Sequence, residues 1–203
     1  GYGNTAIGYK ALSSNTEGIH NTANGYLALW KNTTGNENTA IGKDALYYNT
    51  TGNENTASGH HSMYHNVDGN QNTAYGSWAL TGNTSGDYNT AIGMSALSGN
   101  NNGSLHAACG YKALLSCSDG SNNAALGANA LYSNTSNYNT AVGSNSLYSN
   151  TIGSMNTAIG YSSISGKLIN CDLKLGGIGI SRFGFDHHLY KKAIDLGCNF
   201  IFS

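Results

Sequence analysis

Residues 38–54 read NTAIGKDALYYNTTGNE, and residue 55 begins the same phrase again as NTASG. The opening string or a near copy starts at Asn4, Asn21, Asn38, Asn55, Asn72, Asn89, His106, Asn123, Asn139 and Asn156. Every spacing is 17 residues except one of 16, between Asn123 and Asn139. A fixed period of this length marks a stacked repeat, because one unit cannot bury its own apolar face.

The constant positions suggest what each unit does. Position three is Ala and position five is Gly in all ten copies, as in Ala6, Gly8, Ala40, Gly42, Ala91 and Gly93. Position nine is Leu, as in Leu12, Leu46 and Leu97, except for Met63 and Ile164. A second Gly falls at position fifteen in eight of nine complete copies, and Asn137 stands there in the short one. Asn is the next best residue at positive φ. Helix is disfavoured, since Gly and Asn recur in every unit. The reading is all-β: a parallel β-solenoid of about ten coils over residues 1–166. Each coil would hold two short strands, T-A-I-G and A-L-x-x, with the glycines at corners. At roughly 4.8 Å per coil, the stack makes a rod on the order of 45 Å long.

Composition agrees. Charged residues are 9%, Pro is absent, and the formal net charge is −1. Gly has no three-residue period, which excludes collagen. A ladder of like charges would repel itself, whereas the 29 Asn can bond along their ladders, as amides do in cross-β stacks. Positions one and twelve supply two such ladders. Near-zero charge gives no electrostatic case for nucleic acid. No apolar run reaches the roughly 20 residues of a membrane helix. No signal-peptide pattern is visible. The chain begins at Gly1 without Met, as a fragment or processed product would.

NTAIGYKAL, NTAIGKDALYYNTTGNE and NTAVGSNSLYSNT resemble the repeats of tail-fibre proteins of phages and large viruses. More loosely, they are similar to head repeats of trimeric autotransporter adhesins, whose period is shorter. The shared feature is Ala-Ile-Gly or Ala-Val-Gly followed by a small residue. The resemblance implies a left-handed β-roll, normally trimeric, on a virion or cell surface.

Residues 167–203 break the pattern and form a separate C-terminal segment. They hold five of the nine basic residues and all four Phe. Their pattern predicts a strand at 173–180, a helix at 187–196 between Asp186 and Gly197, and a strand at 199–202. LKLGGIGISRFGF and LYKKAIDLGCNFI resemble the first unit of aldo-keto reductases, but the catalytic residues are missing and no activity transfers. The segment reads as a cap or oligomerising end.

Several residues are candidates for chemistry. Position four (Ile7, Ile41, Ile92, Leu126, Val142, Ile159) is mostly apolar yet tolerates Asn24 and Ser58, which suits an interface between chains. Position ten carries Trp30, Tyr47, Tyr64, Tyr132 and Tyr148, a strip for a glycan or partner surface. Asn32, Asn49, Asn83 and Asn134 head N-x-[ST] sequons at position twelve and are expected to project from one edge; Asn102 heads a fifth. His60, His61 and His65 are dense enough for a metal. Adjacent strand residues point to opposite faces, though, and no metal site is assigned. Cys109 and Cys117 lie in one coil and are candidates for a disulfide. Cys171 and Cys198 read as buried apolar residues. No catalytic triad, nucleophile elbow or phosphate loop occurs, so no enzyme activity and no cofactor are expected.

These features predict a structural and adhesive fibre on a virion or cell surface, binding a receptor or glycan and assembling as a trimer. Two alternatives stand beside it. One is a filament growing from open solenoid ends. The other is an ice-binding solenoid using the Thr5, Thr22, Thr39, Thr56, Thr73 and Thr90 ladder, which breaks at Ala107 and Ala124.

Overall fold

The computed structural model describes residues 1–161. The end of the repeat region, the C-terminal strands and helix, and Cys171 and Cys198 lie outside the described residues. Each copy of the repeat contributes one three-residue strand, from β1 (Thr5–Ile7) through β8 (Ala124–Leu126) and β9 (Thr140–Val142) to β10 (Thr157–Ile159). The ten strands form one parallel sheet in sequence order. Identical positions face each other, as in Ala6 with Ala23 and Ala23 with Ala40. The chain is a β-solenoid with one turn of coil per repeat.

Among the described residues the expected second strand is not found. The A-L-x-x segment is a chain of tight turns, because its residues leave the extended region. In nine successive coils, positions seven, nine and seventeen have φ near +50 to +60°, as in Asp44 (57°), Leu46 (50°) and Glu54 (56°). A non-glycine residue there costs roughly 1–2 kcal/mol. Bonds between coils offset this strain. Leu29 N–H donates to the Ala45 carbonyl at 3.0 Å and Lys31 N–H to the Tyr47 carbonyl at 3.0 Å, continuing the sheet's ladder around the turn.

Left-handed backbone also aims Leu inward. Leu29, Leu46, Met63, Leu80, Leu97, Leu114 and Leu131 form one buried column against the Ala of positions three and eight. Each Leu contributes roughly 1.5–3 kcal/mol of burial. Ala6, in the first coil described, is the one exposed member of its column.

The remaining interior is amide. Asn38 Nδ2–H donates to the Gly52 carbonyl at 2.8 Å, and Asn21 Oδ1 accepts from the Asn38 backbone N–H at 2.9 Å. On the other side, Asn49 Nδ2–H donates to Asn32 Oδ1 at 2.8 Å and to the Gly52 carbonyl at 3.0 Å. Both ladders are fully buried over most of the rod. A third ladder, half-exposed, was not anticipated: at position sixteen, Asn36 N–H donates to Asn53 Oδ1 and Asn53 N–H to Asn70 Oδ1, both at 2.9 Å.

Both Asn ladders converge on the carbonyl of the second Gly, which explains that glycine. Its φ is not positive; the space is what is lacking. A Cβ on Gly52 would sit 2.4 Å from Asn49 Oδ1 and 2.5 Å from the Gly69 carbonyl oxygen. The first Gly does need its conformation, with φ 127° at Gly42. In the short copy, Asn137 does not stand in for the second Gly. Ser136 does, accepting Asn123 Nδ2–H at 2.8 Å, while Asn137 accepts Ser121 N–H as a member of the third ladder. The missing residue is removed from the loop before Ser136, and β8 and β9 keep their register.

Gly52→Ala therefore overpacks a site with backbone on one side and a buried amide on the other. It should cost about 3 kcal/mol in denaturant unfolding, whereas Thr51→Ala next to it, exposed, should change stability by less than about 0.5 kcal/mol.

Candidate functional site

Among the described residues Ala, Leu and Asn fill most of the interior, and most reactive side chains stand on the outer columns. The sheet's outer face carries positions two and four. Ile7, Ile41, Ile92, Leu126 and Ile159 are exposed, from 42% at Ile92 to 67% at Ile159, and Val142 is half-buried. Tyr75 lies in the same row. This row alternates with the Thr ladder, so a flat apolar and hydroxyl face runs along the rod. Among the described residues no helix is long and apolar enough to cross a membrane.

The aromatic column splits into two. Trp30, Tyr47 and Tyr64 pack in succession with centroids 5.0 and 4.9 Å apart, and Tyr132 stacks on Tyr148 at 4.8 Å. Thr81, Ser98 and Leu115 separate the groups. Tyr47 and Tyr64 are half-buried, and burial pushes both phenols above their ordinary pKa. Tyr47 stacks on Tyr64 and Tyr132 on Tyr148, at 25° and 8°, so these pairs turn their faces to each other and present their edges, whereas Trp30 meets Tyr47 at 61°. Tyr48 joins it, 4.6 Å from Tyr47 and 5.2 Å from Tyr64.

The histidines are arranged differently from the strand-based expectation. His60 and His61 lie on the same side, with rings stacked 3.9 Å apart at 22°. The cause is the left-handed φ of 56° at His61, which removes the alternation of a strand. His61 Nε2 is 3.1 Å from the largely buried Asp44 carboxylate, which Lys43 also approaches at 3.6 Å. Burial, then His61 and Lys43, lower the His60 pKa. His65 stands apart, stacked on Tyr48 at 5.6 Å. Asp44 was missed because it is one coil away in sequence. It shares position seven with His61, and reading that column down the stack finds it.

The four position-twelve sequons do not project. Asn32, Asn49, Asn83 and Asn134 are fully buried, and their amides bond inside the coil. A transferase cannot reach them in the folded rod; Asn102 is the exposed sequon. The disulfide is absent as well. Cys109 and Cys117 are free thiols, because position four points out of the sheet and position twelve points into the coil.

Cys117 instead faces His106 at 3.7 Å, both replacing ladder Asn in coil 7. The pair has the look of a nucleophile and base, but burial works against it. The thiol is pushed up to about 11 and the imidazole down to about 4, so both are neutral near pH 7. His106 is held by the Gly120 carbonyl at 2.6 Å. The pair is a defect in the amide ladder, and it leaves Asn100 Oδ1 buried without a donor.

Compared with protein-family models, curated proteins and solved structures, the chain matches none.

The unfolded imidazole gains a proton below about pH 6.5, while folded His106 stays neutral to about pH 4. Its contribution is complete above pH 6.5 and is lost as the pH falls toward 4, by about 3 kcal/mol. His106→Asn should flatten that part of the stability–pH curve. Cys117→Asn gives Asn100 Oδ1 a donor and should stabilise by about 1 kcal/mol in denaturant unfolding at neutral pH.

Proposed function

We propose that the chain is the rod of a structural, adhesive fibre on a virion or cell surface, assembled as a trimer through the outer face of its sheet. The observation that carries this reading is the exposed apolar row at position four. An exposed, mostly apolar row along a rigid surface, broken here by Asn24 and Ser58, is a common mark of an association face. The thin interior adds support: one large apolar side chain per coil is a small core, and association would cover more. Identical rows on three copies are self-complementary along their whole length. No enzymatic role is part of this reading, since the Cys–His pair is neutral and enclosed. Adhesion to a receptor or glycan would fall to Tyr48 and the tyrosine hydroxyls and edges of the aromatic strip.

Ice binding is the second reading, favoured by the parallel register of Thr5, Thr22, Thr39, Thr56, Thr73 and Thr90 on the same face.

Light scattering on a sizing column tests assembly. The expected mass is near three times 21.1 kDa, and Ile92→Asp should shift it toward one chain without unfolding the rod. A concentration-independent monomer overturns the trimer. Thermal hysteresis from that monomer would assign the face to ice.

A further inference from the structure

Coils 3 and 4 carry a surface cluster that the fibre reading does not use. Asp44, His60 and His61 each offer one ligand atom, and these atoms all lie within 4.8 Å of one another. Position seven brings Asp44 and His61 together by stacking identical turns; His60 joins because the left-handed turn at His61 folds the two rings onto one side. Two imidazoles beside one carboxylate suit a late first-row transition ion better than Ca²⁺ or Mg²⁺.

A second observation points the same way. His61 Nδ1 is buried and has no hydrogen-bond partner, although its other ring nitrogen meets Asp44 at 3.1 Å. Buried polar atoms are normally satisfied, and an orphan deserves a cause. A histidine fixed by a carboxylate through one nitrogen, with the other left for a ligand, is the arrangement metal sites use. We propose that His60 and His61 bind a divalent transition ion such as Ni²⁺, Cu²⁺ or Zn²⁺, with Asp44 holding the His61 ring through its other nitrogen, within a single chain.

The present geometry sets two conditions on binding. The stacked rings must rotate about Cβ–Cγ for both lone pairs to converge. Lys43, 3.6 Å from the Asp44 carboxylate, must move away. The site also has its own reporter, since the Trp78 ring lies 4.4 Å from His61 and 5.6 Å from His60.

The test is a titration of the full chain with NiCl₂ at neutral pH, following tryptophan emission, with Trp30→Phe as the background so that Trp78 is the reporter. Saturable quenching at one ion per chain is expected. His60→Asn, His61→Asn and Asp44→Asn should each weaken binding by about tenfold or more. Lys43→Ala should tighten it. His65→Asn, at the neighbouring histidine, should leave it unchanged. Asn tolerates left-handed backbone, and position six varies among Tyr, Lys, Ser, Met and Ala, so these variants keep the coil. The proposal is overturned by non-saturable quenching, or by saturable binding that His60→Asn and Asp44→Asn leave intact. Its failure would leave the trimer reading untouched, because assembly is assigned to position four on the sheet's outer face, whereas the cluster lies on the turn beside Tyr64.

Discussion

The structure depends on the amide that closes each coil. Asn at positions one and twelve both reach the carbonyl of the second Gly, and both pass a bond to the neighbouring coil. The interaction works in two directions at once: it fixes the corner within a coil and the spacing between coils. Buried amides left unpaired would each cost about 1–3 kcal/mol, so the ladder requires every coil to repeat the same residues. That requirement explains the low charge, the recurrent second glycine and the abundance of Asn. Backbone strain is distributed in the same way. Three left-handed residues per coil are tolerated because the bonds between coils repeat around the whole turn.

Most of the fold was legible in the sequence because period and pattern are long-range information written locally. The strand at T-A-I, the stacking, the Ala and Leu columns and the Asn ladders all follow from the repeat. What failed was the backbone of A-L-x-x. Ala-Leu gives no sign of φ near +50°, and no glycine marks it. Only the constraint of meeting the next coil imposes that conformation. The same omission put His60 and His61 on opposite faces and the sequon asparagines on an edge. The short copy shows the limit of counting: aligned by number, Asn137 replaces a glycine, whereas in space the deletion falls before Ser136.

The candidate sites divide along the same line. The outward apolar row was legible, since positions two and four flank an inward Ala on one strand. The Asp44–His61–Trp78 column was not, because residues 17 apart become neighbours only once the turn is known to stack in register. A solenoid thus turns single-position variation into local chemistry. Where a column keeps Asn it builds structure, and where an outer column admits Asp, His or Trp it builds a site. Coil 7 shows the inner case: His106 and Cys117 break both ladders and form a neutral pair inside the rod.

Replacing one ladder amide by a small apolar group tests the central claim most directly. Asn66 donates to Asn49 Oδ1 at 2.7 Å and to the Gly69 carbonyl at 3.0 Å, and accepts from Asn83 at 2.7 Å. Asn66→Ala removes the amide without adding bulk; it leaves Asn49 Oδ1 without a donor and one Asn83 Nδ2 hydrogen without an acceptor, while the Gly69 carbonyl keeps its bond from Asn55. Denaturant unfolding should show a loss of about 4 kcal/mol. Unchanged or increased stability would contradict the account and would mean that the Ala and Leu columns alone hold the coils together.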